Sequence, residues 1–171
     1  MCGAELTQLP EGVQRVASFL QAAGHTSAPR MLQDAARTAQ QAADGLGVEL
    51  GQIAKSIIFK RKSDDAAVLV ITSGDKRVDE AKVQALVCEA GSKLGRADAD
   101  FVKLKTGFSI GGVAPVAHLT VPVTLLDQEL FRFETIWAAA GHPNAVFEVS
   151  PHALQMLSQA PVADVVINVV V

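Results

Sequence analysis

The chain has 171 residues, of which 49% are hydrophobic and 19% charged, and its formal net charge is −3. This length suits a single domain, and the composition excludes a disordered chain and a broadly basic nucleic-acid-binding protein. Cys2 and Cys88 have neither metal-ligand nor CxxC spacing, and no apolar run approaches the length of a membrane span. Because the N-terminus also lacks a signal pattern, we expect one unprocessed cytoplasmic domain over 1–171, with Cys88 in its core.

The first half of the sequence mixes helical and extended patterns. Apolar residues recur at i, i+3, i+4 and i+7 over 11–24, which predicts a first helix. A second, short helix is predicted over 38–46, with a strand at 30–32 as an option before it. The runs at 53–62 and 66–74 are rich in β-branched residues and are separated by Ser-Asp-Asp, so they predict a hairpin.

The second half continues in the same manner. Helices are predicted over 78–91 and 98–105, and strands over 121–126, 133–139 and 145–149.

The C-terminal part adds one more helix and sets the fold class. Ser150 as N-cap and Pro151 at the first helical position predict a helix over 150–159, and residues 162–171 form either an edge strand or a tail. Five to seven strands mixed with four or five short helices, without strict alternation, predict an α+β domain around a curved mixed sheet.

Lys55 is the first candidate functional residue. Alternation along the first hairpin strand places Lys55 on one face with Ile57 and Phe59, and Ser56 on the other, wetter face. A lysine on the drier face is costly unless it is paired or lines a cavity, where it binds a phosphate, carbonyl or carboxylate. The alternative is a lysine at the mouth of the strand with its ammonium group in water.

The glycine-rich segment GFSIGGVAPVAH, residues 107–118, is the second candidate. Gly107, Gly111 and Gly112 permit positive φ and close approach of the backbone to a ligand, and Pro115 fixes the exit of the turn. Successive N–H groups in such a turn form a cradle for an anion or oxyanion. The segment lacks the Gly-Lys-Ser/Thr of a P-loop, and an ordinary structural turn is the other interpretation.

The histidines and serines favour neither metal nor serine-hydrolase chemistry. The four histidines have no metal-ligand spacing, and no serine lies in a G-x-S-x-G elbow. His142 lies in the loop GHPN, residues 141–144, between two predicted strands, where it is either a presented polar side chain or a plain turn residue.

The charged residues are interpreted mainly as structural. Asp75, Asp79 and Glu80 look like capping and first-turn carboxylates of a helix rather than an acid/base pair. The cluster Lys60-Arg61-Lys62 is either a solvated hairpin end or a contact for a nucleic-acid backbone.

Four segments in order resemble the YbaK/prolyl-tRNA synthetase-associated family, the free-standing relatives of the bacterial prolyl-tRNA synthetase insertion domain. They are IAKSIIFK (53–60), VLVITSGDKRVDEAKV (68–83), TGFSIGGVAPVAH (106–118) and WAAAGHPNAVFEVSP (137–151), and the similarity runs from about residue 30 to 165. The resemblance implies a barrel-like mixed sheet and an aminoacyl-tRNA deacylase that edits mischarged tRNA in trans without a metal or other cofactor.

The resemblance also implies site residues. The family's lysine corresponds to Lys55, its Gly-x-x-x-Pro loop to residues 111–115, and a variable polar position to His142. The catalytic candidates are then Lys55 and the N–H groups of Gly111, Gly112 and Val113, with water as the nucleophile. The substrate-binding candidates are Ser56, Phe108, Ile110, Ala114, Pro115, His118, His142 and Asn144.

Two departures from the family leave the amino acid open. Ser56 stands where several alanyl-specific relatives have asparagine, and residues 141–144 replace a Gly-Gly-Lys-Arg type turn of some cysteinyl-specific relatives. Neither specificity therefore transfers, and seryl-, threonyl- and other small aminoacyl-tRNAs remain open. We expect a small non-cognate amino acid on tRNA, with tRNA(Pro) as the leading candidate.

The expected partners are the acceptor end of an aminoacyl-tRNA and, as a candidate, prolyl-tRNA synthetase. No membrane or metal is expected, and the chain is expected to be a monomer or weak dimer. The alternative function is a non-catalytic tRNA-binding or protein-binding regulatory module of the same fold. A net charge of −3, no tyrosine and one tryptophan argue against a plain nucleic-acid-binding module.

Overall fold

The computed structural model describes residues 9–34 and 36–168. In that part of the chain five α-helices surround a mixed sheet of eight strands. The helices are α1 (Glu11–Ala22), α2 (Ala39–Leu46), α3 (Glu80–Val87), α4 (Ala99–Thr106) and α5 (Pro151–Ser158), with 3₁₀ turns at Leu50–Gln52 and Gln128–Arg132. The strands are β1 (Arg30–Met31), β2 (Ile53–Arg61), β3 (Ala66–Ser73), β4 (Leu94–Arg96), β5 (Val123–Asp127), β6 (Ile136–Ala139), β7 (Ala145–Val149) and β8 (Val162–Ala163).

The long strand β2 joins the two halves of the sheet. The strand order is β1-β7-β6-β2-β3-β5-β8, and β4 pairs with the end of β2. β2 and β3 form the predicted antiparallel hairpin, in register from Ala54↔Ser73 to Arg61↔Ala66. The β2–β6, β3–β5 and β5–β8 pairs are parallel, and the other pairs are antiparallel. The predicted α+β domain with a mixed sheet is therefore confirmed.

The helix predictions hold, and their caps explain the boundaries. Thr38, Asp79, Asp98 and Ser150 each accept a hydrogen bond from a backbone N–H in the first turn of the helix that follows. The strand count exceeds the predicted five to seven by one, because β4, with three residues, was not predicted, whereas β1 and β8 correspond to the two segments that were left as options.

The structure describes most of the C-terminal segment 162–171, which the sequence left as either an edge strand or a tail. Val165 and Val166 are buried, and Val166 forms an antiparallel bridge with Val78. Residues 162–168 are thus packed against the domain, and residues 169–171 of the predicted edge strand or tail lie outside the described residues. Cys2 also lies outside them.

Both faces of the hairpin are covered, which corrects the prediction of a wetter face beside Ser56. Ala54 and Ile58, which alternate with Ser56, pack in the main core with Leu69 and Ile71. Phe59 lies on the opposite face in a smaller core. Lys55 shares that second face, and there it is half-buried.

The predicted core position of Cys88 is wrong. Cys88 caps the C-terminal end of α3 and is partly exposed. Its N–H donates to the carbonyl oxygen of Gln84, and the side chain is absent from the hydrophobic clusters of the described residues. The thiol therefore lies at the surface end of the helix.

Candidate functional site

A cleft of about 250 Å³ opens where β2, β6, α2 and the glycine-rich segment meet. The parallel pairs Ile53↔Trp137 and Ala54↔Ala138 set the starts of β2 and β6 side by side as its floor. The walls are mostly small or apolar side chains. They comprise Ala36, Arg37, Thr38, Ala39, Ala42, Ile53, Ala54, Lys55, Ser56, Ile57, Gly111, Val113, Trp137, Ala138, Ala139, Pro143, Ala145 and Val146.

Lys55 lies at the border between this cleft and a second one. Its Nζ donates a hydrogen bond of 2.8 Å to the carbonyl oxygen of Lys76, so the ammonium group is neither free in water nor packed in the core. Burial lowers the pKa of Lys55, an effect that the nearby Asp75 and Asp127 carboxylates oppose and Arg77 reinforces.

The second cleft has a volume of about 340 Å³ and is basic. Lys55, Arg77 and Arg96 are in its walls, together with the carboxylate of Glu80. Lys55 and Ile57 line both clefts, so the two clefts adjoin at these residues.

Ser56 is part of the wall of the small cleft, and its hydroxyl is enclosed by the protein. Its Oγ is buried, and within the described residues it has no hydrogen-bond partner. Thr38, the other hydroxyl of the walls, is already used, because its Oγ1 accepts from the N–H of Gln41 at 3.1 Å. A buried hydroxyl without a partner costs free energy.

The glycine-rich segment presents two backbone N–H groups beside the cleft. Gly111 has φ +93° and, with Val113, is part of the wall. In residues 9–34 and 36–168, neither the N–H of Gly111 nor that of Val113 has an acceptor. An oxyanion cradle requires N–H groups without an acceptor in the protein, and the oxyanion role of Gly111 and Val113 stays a prediction.

Gly112 departs from the prediction. Its N–H donates to the carbonyl oxygen of Ser109 at 3.0 Å, so it is not a free donor, and it is not among the glycines with positive φ. Glycine is required there for space, since a Cβ at this position would lie 2.8 Å from the Cα and carbonyl carbon of His142. Gly112 therefore packs the segment against the loop 141–144.

The loop 141–144 supports the cleft through its backbone. Pro143 is in the wall, whereas His142 and Asn144 are not. The Nδ1 of His142 accepts from the N–H of Asn144 at 3.1 Å, which leaves Nε2 to carry the proton of the neutral ring. The carbonyl oxygen of Asn144 accepts from the N–H of Leu32. His142 and Asn144 thus shape the loop.

The first helix packs closely behind the same loop. The backbones of Gly12 in α1 and Gly141 approach so closely that a Cβ on either residue would meet the backbone of the other. Gly141 also has φ +91°, which favours glycine.

Phe108 and His118 support the glycine-rich segment from the core side, which corrects the expectation that they contact substrate. The ring of Phe108 is buried between the guanidinium group of Arg15, 4.3 Å from its centroid, and the edge of His118. His118 Nε2 donates to the carbonyl oxygen of Ala114 at 2.7 Å, and burial lowers the pKa of the imidazole, so the ring is neutral near pH 7.

The remaining predicted residues of the segment also lie outside the cleft wall. Ala114 and Pro115 are buried beneath it, and Ile110 is exposed on the outer surface. Of the twelve predicted site residues, the structure brings Lys55, Ser56, Gly111 and Val113 together in the wall. The other eight hold these four in place or point elsewhere.

The carboxylate of Asp75 belongs to a separate polar corner, and the prediction that it caps a helix is wrong. Its two oxygens accept from the guanidinium group of Arg132, at 2.8 and 3.2 Å, and from the hydroxyl of Ser73 at 2.9 Å. These bonds, chiefly those from Arg132, lower the pKa of Asp75. Asp127 is likewise bonded to Thr72 and to the N–H of Ser73.

Sequence reasoning missed the wall supplied by α2 and β6. Arg37 and Thr38 lie at the start of α2, and Trp137 lies on the floor. The N-cap pattern at Thr38 was visible, but nothing in it indicates which element the helix faces. The one tryptophan of the chain was the available signal, since an aromatic ring beside small residues is typical of a ligand cleft.

The described residues contain neither a cluster of metal-ligand side chains nor a membrane-spanning helix. No group of three or more His, Cys, Asp or Glu side chains among residues 9–34 and 36–168 is placed to hold a metal ion. No helix in the same part of the chain is long and apolar enough to cross a membrane.

Comparison with known proteins identifies relatives of this fold and cleft. The family model for the aminoacyl-tRNA editing domain matches residues 33–157. The uncharacterized protein YwhH of Bacillus subtilis is 35% identical over 121 residues, which is 71% of this chain and 74% of that protein. A proline–tRNA ligase of Maridesulfovibrio salexigens is 30% identical over 105 residues, 61% of this chain and 17% of the ligase.

A solved structure described as a "putative trans-editing enzyme for prolyl tRNA synthetase" superimposes with a TM-score of 0.86 at 37% identity. The match covers 94% of this chain and 100% of that chain. The segment 33–157 contains the four wall residues predicted from the sequence, so the match extends to the cleft as well as to the sheet. The chain belongs to the aminoacyl-tRNA editing domain family.

Proposed function

We propose that the chain is an aminoacyl-tRNA deacylase that acts in trans, in the cytoplasm, on a small non-cognate amino acid esterified to tRNA, with tRNA(Pro) as the tRNA. One observation carries the proposal: a cleft of about 250 Å³ with small apolar walls lies beside the unpaired N–H groups of Gly111 and Val113. This arrangement fits a small acyl group together with the carbonyl oxygen of its ester.

The chemistry required is the hydrolysis of an ester. The oxygen of a water molecule bonds to the carbonyl carbon, and negative charge develops on the carbonyl oxygen. The bond from that carbon to the ribose oxygen then breaks, the ribose oxygen takes a proton, and the free amino acid leaves. N–H groups placed at the developing oxyanion lower this barrier, and losing one such donor costs about 10²–10³-fold in rate. Gly111 and Val113 supply the donors in this proposal.

Water is the nucleophile because the cleft holds no activated side chain. Ser56 Oγ has no base within hydrogen-bond distance among the described residues, and Thr38 Oγ1 serves as a helix cap. A serine without an adjacent base is a weak nucleophile. A hydroxyl of the terminal adenosine is available to help position the water.

Lys55 orients the substrate at the junction of the two clefts. Its ammonium group lies between the acyl cleft and the basic cleft, where Arg77 and Arg96 supply two further positive charges. With the acyl group in the small cleft, the phosphates of the acceptor end extend along the basic one. Lys55 then contacts a phosphate, the ester carbonyl or the amino-acid end.

The relatives support prolyl-tRNA synthetase as the enzyme whose errors are edited. One relative is a proline–tRNA ligase in which the matched region is 17% of the chain, and a solved structure is described as a "putative trans-editing enzyme for prolyl tRNA synthetase". Binding energy distinguishes a methylene by only about 1–3 kcal/mol, so a second site that admits small side chains and excludes proline raises fidelity.

The test is a turnover assay with the purified full chain. A panel of aminoacyl-tRNAs, including small amino acids on tRNA(Pro), is incubated with and without EDTA, and the surviving ester is measured. We expect loss of one or a few small aminoacyl esters on tRNA(Pro), equally fast with EDTA, and no loss of prolyl-tRNA(Pro). If no ester disappears although the protein binds tRNA, the alternative of a non-catalytic binding module is correct.

A further inference from the structure

A single side chain of the first helix, Arg15, holds both ends of the glycine-rich segment. Its Nη2 donates to the carbonyl oxygen of Thr106 at 2.7 Å, and its Nε donates to the carbonyl oxygen of Ala117 at 3.0 Å. Thr106 is the last residue of α4, and Ala117 lies near the far end of the segment. The guanidinium group therefore ties together the entry and the exit of the chain that carries Gly111 and Val113.

The backbone at these two ends is in the left-handed region. Gly107 has φ +81° and Ala117 has φ +66°. A residue with a Cβ rarely adopts this conformation, and it keeps it only where its surroundings hold it. The bond from Arg15 to the carbonyl oxygen of Ala117 is one such constraint. At the other end a Cβ on Gly107 would lie 2.6 Å from Nη1 of Arg15, so the guanidinium group also packs directly on that residue.

The charge of Arg15 is used on the main chain. In the part of the chain that the structure describes, Arg15 is in no ion pair, and its guanidinium group lies over the ring of Phe108. Burial lowers the pKa of Arg15, and the charge of Glu11 opposes this effect. Hydrogen bonds from a charged donor are stronger than those between neutral groups, so the two carbonyl oxygens are held firmly.

The middle of the segment depends on how its ends are held. The N–H of Gly112 is bonded to the carbonyl oxygen of Ser109, whereas the N–H groups of Gly111 and Val113 have no acceptor among residues 9–34 and 36–168. Bonds of their own therefore do not fix these two donors. A displacement of the segment ends would carry the donors with it, and a misplacement of about 1 Å can cost about 10²-fold in rate.

We propose that Arg15 is a positioning residue for deacylation, which fixes the glycine-rich segment so that the N–H groups of Gly111 and Val113 lie where the oxyanion develops. The inference rests on the proposed deacylase function. It adds α1 to the machinery of the site, although the family-model match begins only at residue 33. Because the oxyanion exists only in the transition state, loss of this positioning should lower kcat and leave KM nearly unchanged.

The first test measures steady-state turnover of the full chain on the aminoacyl-tRNA that it hydrolyses fastest. Arg15→Ala should lower kcat by about 10-fold to 100-fold, with KM within about threefold of that of the unmodified protein. Arg15→Lys keeps the positive charge but lacks the fork that bonds two carbonyl oxygens at once. Its kcat should be about 3-fold to 10-fold below that of the unmodified protein, above that of Arg15→Ala.

Val16→Ala is the matched control, since Val16 is the next residue of α1 and is fully buried in the main core. It should lower the unfolding temperature by about 2–6 °C and keep kcat within about threefold. An equal loss of kcat in Val16→Ala and Arg15→Ala, or an unchanged kcat in a folded Arg15→Ala protein, would overturn the inference. If Arg15→Ala does not fold, an unchanged kcat in Arg15→Lys has the same meaning.

Amide hydrogen exchange separates this inference from the proposed function. The N–H groups of Gly112 and Leu119 are bonded to the carbonyl oxygens of Ser109 and Thr106. Their exchange should be at least about 10-fold faster in Arg15→Ala and within about threefold of normal in Val16→Ala. If exchange accelerates in this way but the unmodified protein hydrolyses no ester, the deacylase function is wrong and the hold of Arg15 on the segment stands. Unchanged exchange in Arg15→Ala would overturn the inference whatever the activity.

Discussion

The small cleft and the polar corner around Asp75 both lie beside the β2–β3 hairpin, but they differ in whether their polar groups are hydrogen-bonded within the protein. In the corner, Asp75, Arg132 and Ser73 are bonded to one another. In the cleft, the Ser56 hydroxyl and the N–H groups of Gly111 and Val113 have no partner among the described residues.

The difference separates structural polar groups from groups that await a ligand. A polar network that satisfies itself stabilises the fold and has little capacity left for a substrate. Donors at a cleft wall that no protein group accepts from are available to water or to a ligand. On this criterion we propose the cleft as the functional region, although the corner contains more charge.

One of the two largest expected effects is at Lys55, whose ammonium group donates one hydrogen bond, to the carbonyl oxygen of Lys76 in the segment before α3. Lys55→Ala should reduce deacylation by about 10²-fold or more, because the substrate loses its orienting charge, while the domain remains folded. Steady-state turnover and circular dichroism measure the two properties. The exposed Lys93→Ala is the control and should be near normal. A folded Lys55→Ala protein with unchanged turnover would remove the cleft from the mechanism.

The glycine positions test the unpaired N–H groups. Gly112→Ala forces the loop away from His142, so we expect turnover to fall by about 10²–10³-fold as the Gly111 and Val113 donors move. Gly111→Ala has space for its Cβ, 3.8 Å from Pro143, but is strained by about 1 kcal/mol at φ +93°, so its loss should be smaller.

Ser109→Ala separates backbone from side-chain chemistry in the same segment. It leaves the carbonyl acceptor of the Gly112 N–H in place and should change turnover by less than about threefold, since nothing in the wall is lost. The reverse order, with Ser109→Ala inactive and Gly112→Ala near normal, would indicate a serine-dependent mechanism.

The salt dependence of tRNA affinity tests the role of the arginines in the basic cleft against that of Arg132 in the corner. Arg77 and Arg96 form no ion pair with a carboxylate within residues 9–34 and 36–168, whereas Arg132 is paired with Asp75. Affinity for tRNA should fall with a log–log slope of about −2 to −3, since each phosphate neutralised contributes about −0.7 to −0.9. Arg96→Ala should make the slope shallower by about 0.7–0.9, and Arg132→Ala should leave it unchanged. A slope typical of six or more contacts would contradict this local contact.

The smallest effect is expected for the corner itself. Asp75→Asn should lower the free energy of unfolding at pH 7 by about 1 kcal/mol, since the pair with Arg132 is partly exposed, and change turnover much less than Lys55→Ala does. Denaturant titration measures the difference.

The pH dependence of that difference follows from the lowered pKa of Asp75. The stabilisation is complete above the unfolded carboxyl pKa of about 3.9 and is lost as pH falls through the lower folded value. The two proteins should therefore converge in stability at strongly acid pH. A gap that stays constant down to the acid transition would show that the Arg132 pair is not its source.

Much of the fold was predictable because most elements carry strong local signals. The hairpin has two β-rich runs around a turn, and Ser150-Pro151 marks the start of α5. The short strands β1, β4 and β8 were missed or left open, since two or three residues contain no period. The burial of both hairpin faces could not be predicted either. The alternation of residues along a strand shows which side chains share a face, but it does not show which elements cover that face.

The candidate site was predictable only in part. Lys55, Gly111 and Val113 were indicated by a lysine on the drier face of a strand and by a glycine-rich turn, and the structure places these three residues in one cleft wall. The internal bond of Gly112 and the supporting roles of Phe108 and His118 depend on contacts with residues far along the chain. An aromatic ring or histidine in a glycine-rich segment gives no local sign of whether it faces the cleft or the core.

The contact between Gly12 and Gly141 bears on where an autonomous editing unit begins. The family model starts at residue 33, yet α1 lies before that limit and packs its backbone against the loop that adjoins the cleft. Val13, Val16 and Leu20 of the same helix are buried in the main core. A chain cut to the matched segment would uncover this apolar surface and free the loop, so we expect the self-sufficient unit to extend through α1.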